Sequence, residues 1–76
     1  MNAQRRKELD QIWSLVAEAR DRLESVKDDE EDYKDNIPEN LQGSERYDRA
    51  EEVVYNLEEA LDELDRVLET IEEAAE

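Results

Sequence analysis

Cysteine, histidine and phenylalanine are absent from this 76-residue chain, and glycine, proline and tryptophan occur once each. Each absence closes a class of chemistry. Without Cys or His there is no Cys/His zinc site and no Cys or His nucleophile. No disulfide staples the chain, so its redox compartment leaves no mark. No apolar run approaches the ~18 residues of a membrane span, and Met1 to Lys7 is polar, so neither a spanning helix nor a signal peptide is expected. Basic residues are also scarce: 10 Lys and Arg stand against 25 Asp and Glu, a net charge of −15. Such a charge repels nucleic acid and anionic lipid, so no direct nucleic-acid or membrane partner is expected.

A chain that is 46% charged has the composition of a disordered acidic segment. Its periodicity argues otherwise. With Leu9 at heptad position a, the residues Leu9, Ile12, Val16, Ala19, Leu23 and Val26 follow at alternating steps of three and four, and Tyr33 lies one heptad after Val26. Glu30 is the one interruption. Tyr47, Ala50, Val54, Leu57, Leu61, Leu64, Leu68, Ile71 and Ala75 repeat the pattern. This period predicts two amphipathic helices that pack as a left-handed coil.

The segment Asn36 to Ser44 separates them and holds the only Pro and the only Gly. Pro38 pushes Ile37 toward an extended conformation and ends the first helix. It can also open a single turn, Pro38 to Gln42. Gly43 suits a left-handed stop, and Ser44 caps the second helix, with Glu45 in its first turn. Residues 1–76 thus read as a single all-α domain: a helix at about 4–34, a loop at 35–44 and a helix at about 45–75. Each helix is about 45 Å long at ~1.5 Å per residue. Equal lengths and a short connection predict an antiparallel, coiled-coil-like helical hairpin.

Charge supplies a register. The e column of the first helix is Arg6, Trp13, Arg20, Lys27 and Lys34; that of the second is Glu51, Glu58, Asp65 and Glu72. Pairing the apolar columns end to end places Arg6 by Glu72, Arg20 by Glu58, Lys27 by Glu51 and Trp13 opposite Asp65. Each such exposed pair contributes only ~0.2–1 kcal/mol, but together they select antiparallel pairing. The other flank is apolar on the second helix, where position g holds Val53, Ala60, Val67 and Ala74. With Leu15 at g of the first helix, these residues predict a self-association surface, since one partner helix does not cover an a/d/g face. A homodimer in the form of a four-helix bundle is expected, or a foreign partner on the same face.

The acidity is concentrated: residues 1–27 carry a net +1, residues 28–50 a net −6 and residues 51–76 a net −10. Its plain reading is a solvated face that keeps a small protein soluble. Its functional reading is a surface that resembles nucleic acid to a basic groove. Carboxylates three, four and seven positions apart on a helix lie ~5–10 Å from one another, which brackets the phosphate spacing along a strand. The candidate partner-binding residues are Glu51, Glu52, Glu58, Glu59, Asp62, Glu63, Asp65, Glu69, Glu72 and Glu73. Three apolar side chains are candidate anchors: Trp13, outside the tight seam; Tyr55, at position b with no core reason to be apolar; and Ile37, at the bend with Tyr33, Leu41 and Tyr47. Trp13 can equally cover the edge of the core, and the bend residues can form a local core under the loop.

Catalysis and cofactors find no support. A bundle di-iron site needs a Glu-x-x-His partner, the run Asp28 to Asp35 lacks the glycine turn of a calcium loop, and paired carboxylates need a cleft that desolvates one of them. No catalytic residues, metal or cofactor are expected, and the chain reads as a non-enzyme.

The turn Asn36-Ile37-Pro38-Glu39-Asn40-Leu41-Gln42-Gly43-Ser44-Glu45-Arg46-Tyr47, set between an acidic stretch and a second helix rich in Leu-Glu-Glu-Ala steps, resembles a group of small acidic all-helical accessory proteins of bacteriophages and prophages. The resemblance covers most of the chain, with its specificity in the turn, and assigns no site residues. It implies action in the cytoplasm of a bacterial host. Small acidic phage proteins are often inhibitors of host defence or DNA-metabolism enzymes, among them anti-CRISPR proteins, restriction inhibitors and DNA-glycosylase inhibitors. The expected function is therefore a non-catalytic protein that binds a basic host protein through a nucleic-acid-like carboxylate surface. The alternative is a self-associating coiled-coil assembly module.

Overall fold

The computed structural model describes all 76 residues as a helical hairpin about 60 Å long and 15 by 12 Å across. Helix α1 spans Ala3–Asp35 and helix α2 spans Glu45–Ala75, with one 3-10 turn, Glu39–Leu41, between them and no strand. The periodic segments are therefore helical to within a residue or two of their expected bounds, and the acidic run Asp28 to Asp32 is the last part of α1.

Local chemistry accounts for the ends. Asn2 caps α1, its side-chain oxygen accepting from the Arg5 N–H at 2.8 Å. At the other end the Asn36 N–H bonds to the Asp32 carbonyl and the Ile37 N–H to that of Lys34, each at 3.1 Å. The helix thus ends at Asp35 with Asn36 as its cap, and Pro38, two residues on, caps the 3-10 turn. Ser44 holds two groups: its hydroxyl donates to the Leu41 carbonyl at 2.6 Å and accepts from the Tyr47 N–H at 3.4 Å. The expected left-handed stop at Gly43 is not formed, because no residue has a positive φ. The 3-10 turn closes the loop with ordinary backbone angles, and a Cβ on Gly43 would meet nothing within 4 Å.

The seam between the helices differs from the sequence reading in two ways. The first is register. Arg20 reaches Asp65, Nε to Oδ1 at 2.8 Å, in place of Glu58. Lys27 lies within electrostatic reach of Glu58, in place of Glu51. Arg6 makes no ion pair, so its expected bond to Glu72 is absent, and Glu72 instead shares the open end of the hairpin with Trp13. The one cross-helix ion pair is thus displaced by one heptad, and the approach of Lys27 to Glu58 follows the same shift. The second difference is rotation. The half-buried residues of α1 fall at a and e, with position b beside them: Leu9, Trp13, Val16, Ala17, Arg20, Leu23, Glu24, Lys27, Glu30, Glu31 and Lys34. The expected d positions Ile12, Ala19, Val26 and Tyr33 are exposed. Helix α2 keeps its expected a/d face, with Ala50, Val54 and Leu61 buried and Tyr47, Leu57, Leu64, Leu68, Ile71 and Ala75 half-buried.

The rotation has a physical cause in the e column. Trp13 offers more apolar area than any d residue of α1. Arg20 and Lys27 lay their aliphatic stems over α2, leaving their side chains 24% and 17% exposed, while their charged heads stay solvated and paired. Ile37, although outside α1, is one of only four buried residues of the chain, with Ala50, Val54 and Leu61. It extends the a column of α1 to the bend, the end of the hairpin at which Ala50 and Val54 are also buried.

Candidate functional site

Helix α2 carries its acids outward. Glu51, Glu52, Glu58, Glu59, Asp62, Glu63, Asp65, Glu69, Glu72 and Glu73 are all exposed. Few are neutralised. Asp65 is held by Arg20, and Glu52 lies 3.5 Å from Arg49. Glu51, Glu58, Glu59, Asp62, Glu63, Glu69, Glu72 and Glu73 have no cation within 4 Å, because the basic residues that pair do so mainly within their own helix. Arg20 also bonds Glu24 at 2.8 Å, and Lys27 bonds Asp28 at 2.8 Å. The hydrogen bond to Asp65, with that to Glu24 behind it, raises the pKa of Arg20; that to Asp28 raises the pKa of Lys27.

The carboxylates converge at one place. Near the bend an open groove of about 620 Å³ is lined by Glu31 and Lys34 of α1 and by Asp48, Glu51, Glu52, Val54, Tyr55 and Glu58 of α2. Five of these are acidic and one is basic. Tyr55 stands among them 60% exposed, and its hydroxyl donates to Glu59 Oε1 at 3.1 Å. That bond favours the neutral phenol and raises its pKa. An aromatic ring bordered by carboxylates suits a Lys or Arg side chain, whose stem packs on the ring while its head meets the charges. Glu31 and Asp48 are members that the sequence reading missed. The signal was present in the heptads, since Glu31 lies four residues after Lys27 and Asp48 seven before Tyr55, but only the correct register brings them together.

The three apolar candidates separate. Tyr55 is free to make contacts. Ile37 is 5% exposed and belongs to the core at the bend, so it does not serve as a contact anchor. Its neighbours in the expected bend cluster divide: Tyr47 is half-buried, whereas Tyr33 and Leu41 are exposed. Arg46 donates to the Tyr33 hydroxyl, with its guanidinium 5.2 Å from the ring centroid. Trp13 is half-buried and covers the core edge beside Ile71 and Ala75, in an open cleft of about 450 Å³ that Asp10, Ser14, Glu72 and Glu76 complete. It therefore faces Glu72 and not Asp65, and its indole N–H is buried without a partner. The expected self-association column also divides: Leu15, Val67 and Ala74 are exposed, whereas Val53 and Ala60 are half-buried.

No His, Cys, Asp and Glu side chains come together in a group of three that could hold a metal ion, and no helix is long and apolar enough to cross a membrane. No family profile matches the chain, and neither a curated protein nor a solved structure matches it.

Proposed function

We propose that the protein is a non-catalytic binding protein whose α2 carboxylates occupy a basic surface of a host protein in place of nucleic acid. The observation that carries the reading is the groove around Tyr55, where Glu31, Asp48, Glu51, Glu52 and Glu58 surround an exposed aromatic ring with Lys34 as the one cation. The groove takes a basic side chain of the partner, and the unpaired acids from Asp62 to Glu73 extend the contact along the rod. Electrostatic contacts of this kind give fast association and strong salt dependence, and the ring supplies the desolvated anchor. With the turn resemblance, the class of action is inhibition of a nucleic-acid-binding enzyme in a bacterial cytoplasm.

Affinity capture from a bacterial lysate tests the proposal. The wild-type chain is compared with a variant carrying Glu58→Gln, Glu59→Gln, Asp62→Asn and Glu69→Gln. The expected result is a captured set dominated by nucleic-acid-binding proteins, eluted by salt, displaced by added duplex DNA and lost with the variant. Equal capture by the variant, or no displacement by DNA, overturns it.

A second reading, a self-associating assembly module, draws on the exposed side chains of Ile12, Leu15, Val26 and Val67. Salt separates the two. Binding to a basic partner weakens as ionic strength rises, whereas self-assembly of a chain with a net charge of −15 strengthens as its repulsion is screened.

A further inference from the structure

The rotation of α1 leaves one face of the hairpin apolar along its length. The e columns meet on one flank, as the Arg20–Asp65 bond fixes. The opposite flank therefore carries the d column of α1 beside the g column of α2, and the contact of Tyr33 at d with Arg46 at g marks that flank near the bend. Counted along both helices from the Arg20–Asp65 pair, Ile12 falls nearest in level to Ala74, Ala19 to Val67, Val26 to Ala60 and Tyr33 to Val53. The stripe is two helices wide and about 30 Å long at ~1.5 Å per residue. Val26 is 55% exposed and Val67 44%, and Leu15, on the outer border, is 65% exposed.

We propose that this stripe is the interface with a second copy of the chain, two hairpins laying it face to face around a twofold axis as a four-helix bundle. The inference rests on the self-association reading above and adds the surface that performs it. Two observations select a second copy. The first is area. The chain exposes 5876 Å², about 1,000 Å² more than a compact monomer of its mass exposes by the size relation for folded chains. A stable interface removes roughly 800 Å² per partner. The second is where the charge lies. The acids of residues 51–76 occupy positions b, e and f, with only Glu63 at c. The α2 border of the stripe, column c, reads Arg49, Asn56, Glu63 and Thr70; the α1 border, column g, reads Glu8, Leu15, Arg22 and Asp29. These borders carry both signs and little net charge, so two copies can meet here while their acidic faces point away from each other. The bundle then displays two Tyr55 grooves on opposite sides, compatible with binding to a basic partner.

Sedimentation velocity with circular dichroism tests this on the full chain. The wild type should sediment as a dimer at tens of micromolar and dissociate on dilution. Ile12→Arg with Val26→Arg replaces exposed side chains, so helicity should persist, while the dimer dissociation constant should rise by roughly a hundredfold or more because charge is buried at the new interface. Glu59→Arg, on the far face, should leave the dimer intact. In parallel, Ala19→Cys in this cysteine-free chain should cross-link to its copy with a short bis-maleimide under conditions where Glu59→Cys does not. A wild type that is a folded monomer at these concentrations overturns the proposal together with the self-association reading. A dimer that survives Ile12→Arg with Val26→Arg, or cross-links through position 59 in preference to 19, overturns the proposed surface alone. If the double Arg variant loses helicity, the cross-linking preference decides.

Discussion

Arg20 bonds Asp65 across the hairpin at 2.8 Å and passes over Glu58, the acid one heptad nearer the bend. The pair fixes the axial position of one helix against the other. The guanidinium is also held by Glu24 on its own helix, with Asp21 at 3.7 Å, so Arg20 is placed among three carboxylates and its side chain is 24% exposed. A double-mutant cycle between Arg20→Gln and Asp65→Asn should give a coupling energy of about 0.5–1 kcal/mol, at the upper end for a partly exposed pair. The corresponding cycle between Arg20 and Glu58 should give a coupling near zero. A larger coupling to Glu58 would restore the register that the apolar columns alone suggest.

Core substitutions should distinguish the buried face from the nominal heptad face. Leu61→Ala, at a buried position of α2, should cost about 2–4 kcal/mol. Val26→Ala, at an exposed d position of α1, should change stability by less than about 0.5 kcal/mol. Both are measured by urea unfolding, followed through Trp13, in solution dilute enough for sedimentation to show a monomer. Comparable losses at the two sites would return Val26 to the core.

Tyr55 should ionise later than an ordinary tyrosine. Its hydroxyl bond to Glu59 raises its pKa from 10.0. Ultraviolet titration of the wild type against Tyr55→Phe isolates its phenol, and Glu59→Gln should bring the transition back toward the ordinary value. A raised folded-state pKa means that the contact contributes to stability below the unfolded pKa and loses that contribution as pH rises through the folded one. An unchanged titration in Glu59→Gln would dissolve the link between the ring and the acidic face.

Salt should stabilise the fold. With a net charge of −15 and few cross-helix pairs, repulsion among α2 carboxylates outweighs the attraction of Arg20 for Asp65. The thermal midpoint should rise from about 0.01 M to about 1 M NaCl, over which the screening length falls from about 30 Å to about 3 Å. A midpoint that falls would mean that the ion pairs dominate.

The helices and the bend were legible in the sequence because their causes are local. The three-four spacing of apolar residues makes two amphipathic helices, Pro38 removes a backbone donor, and Ser44 supplies a cap; none of these depends on what lies across the hairpin. The acid face of α2 was legible for the same reason, since residues at b, e and f turn outward whichever helix covers a and d. Register and rotation were not. A heptad shifted by seven residues maps onto itself, and Glu58 and Asp65 occupy equivalent e positions, so neither the apolar columns nor the charges distinguish one register from the next. The tertiary structure makes that choice at Ile37, whose burial beside the bend extends the a column of α1 past the end of its helix. It makes the second choice at Trp13, Arg20 and Lys27, whose large ring and long stems cover α2 better than Ile12, Ala19 and Val26 and so turn those smaller residues to the surface. The groove around Tyr55 and the apolar stripe both follow from these two long-range choices.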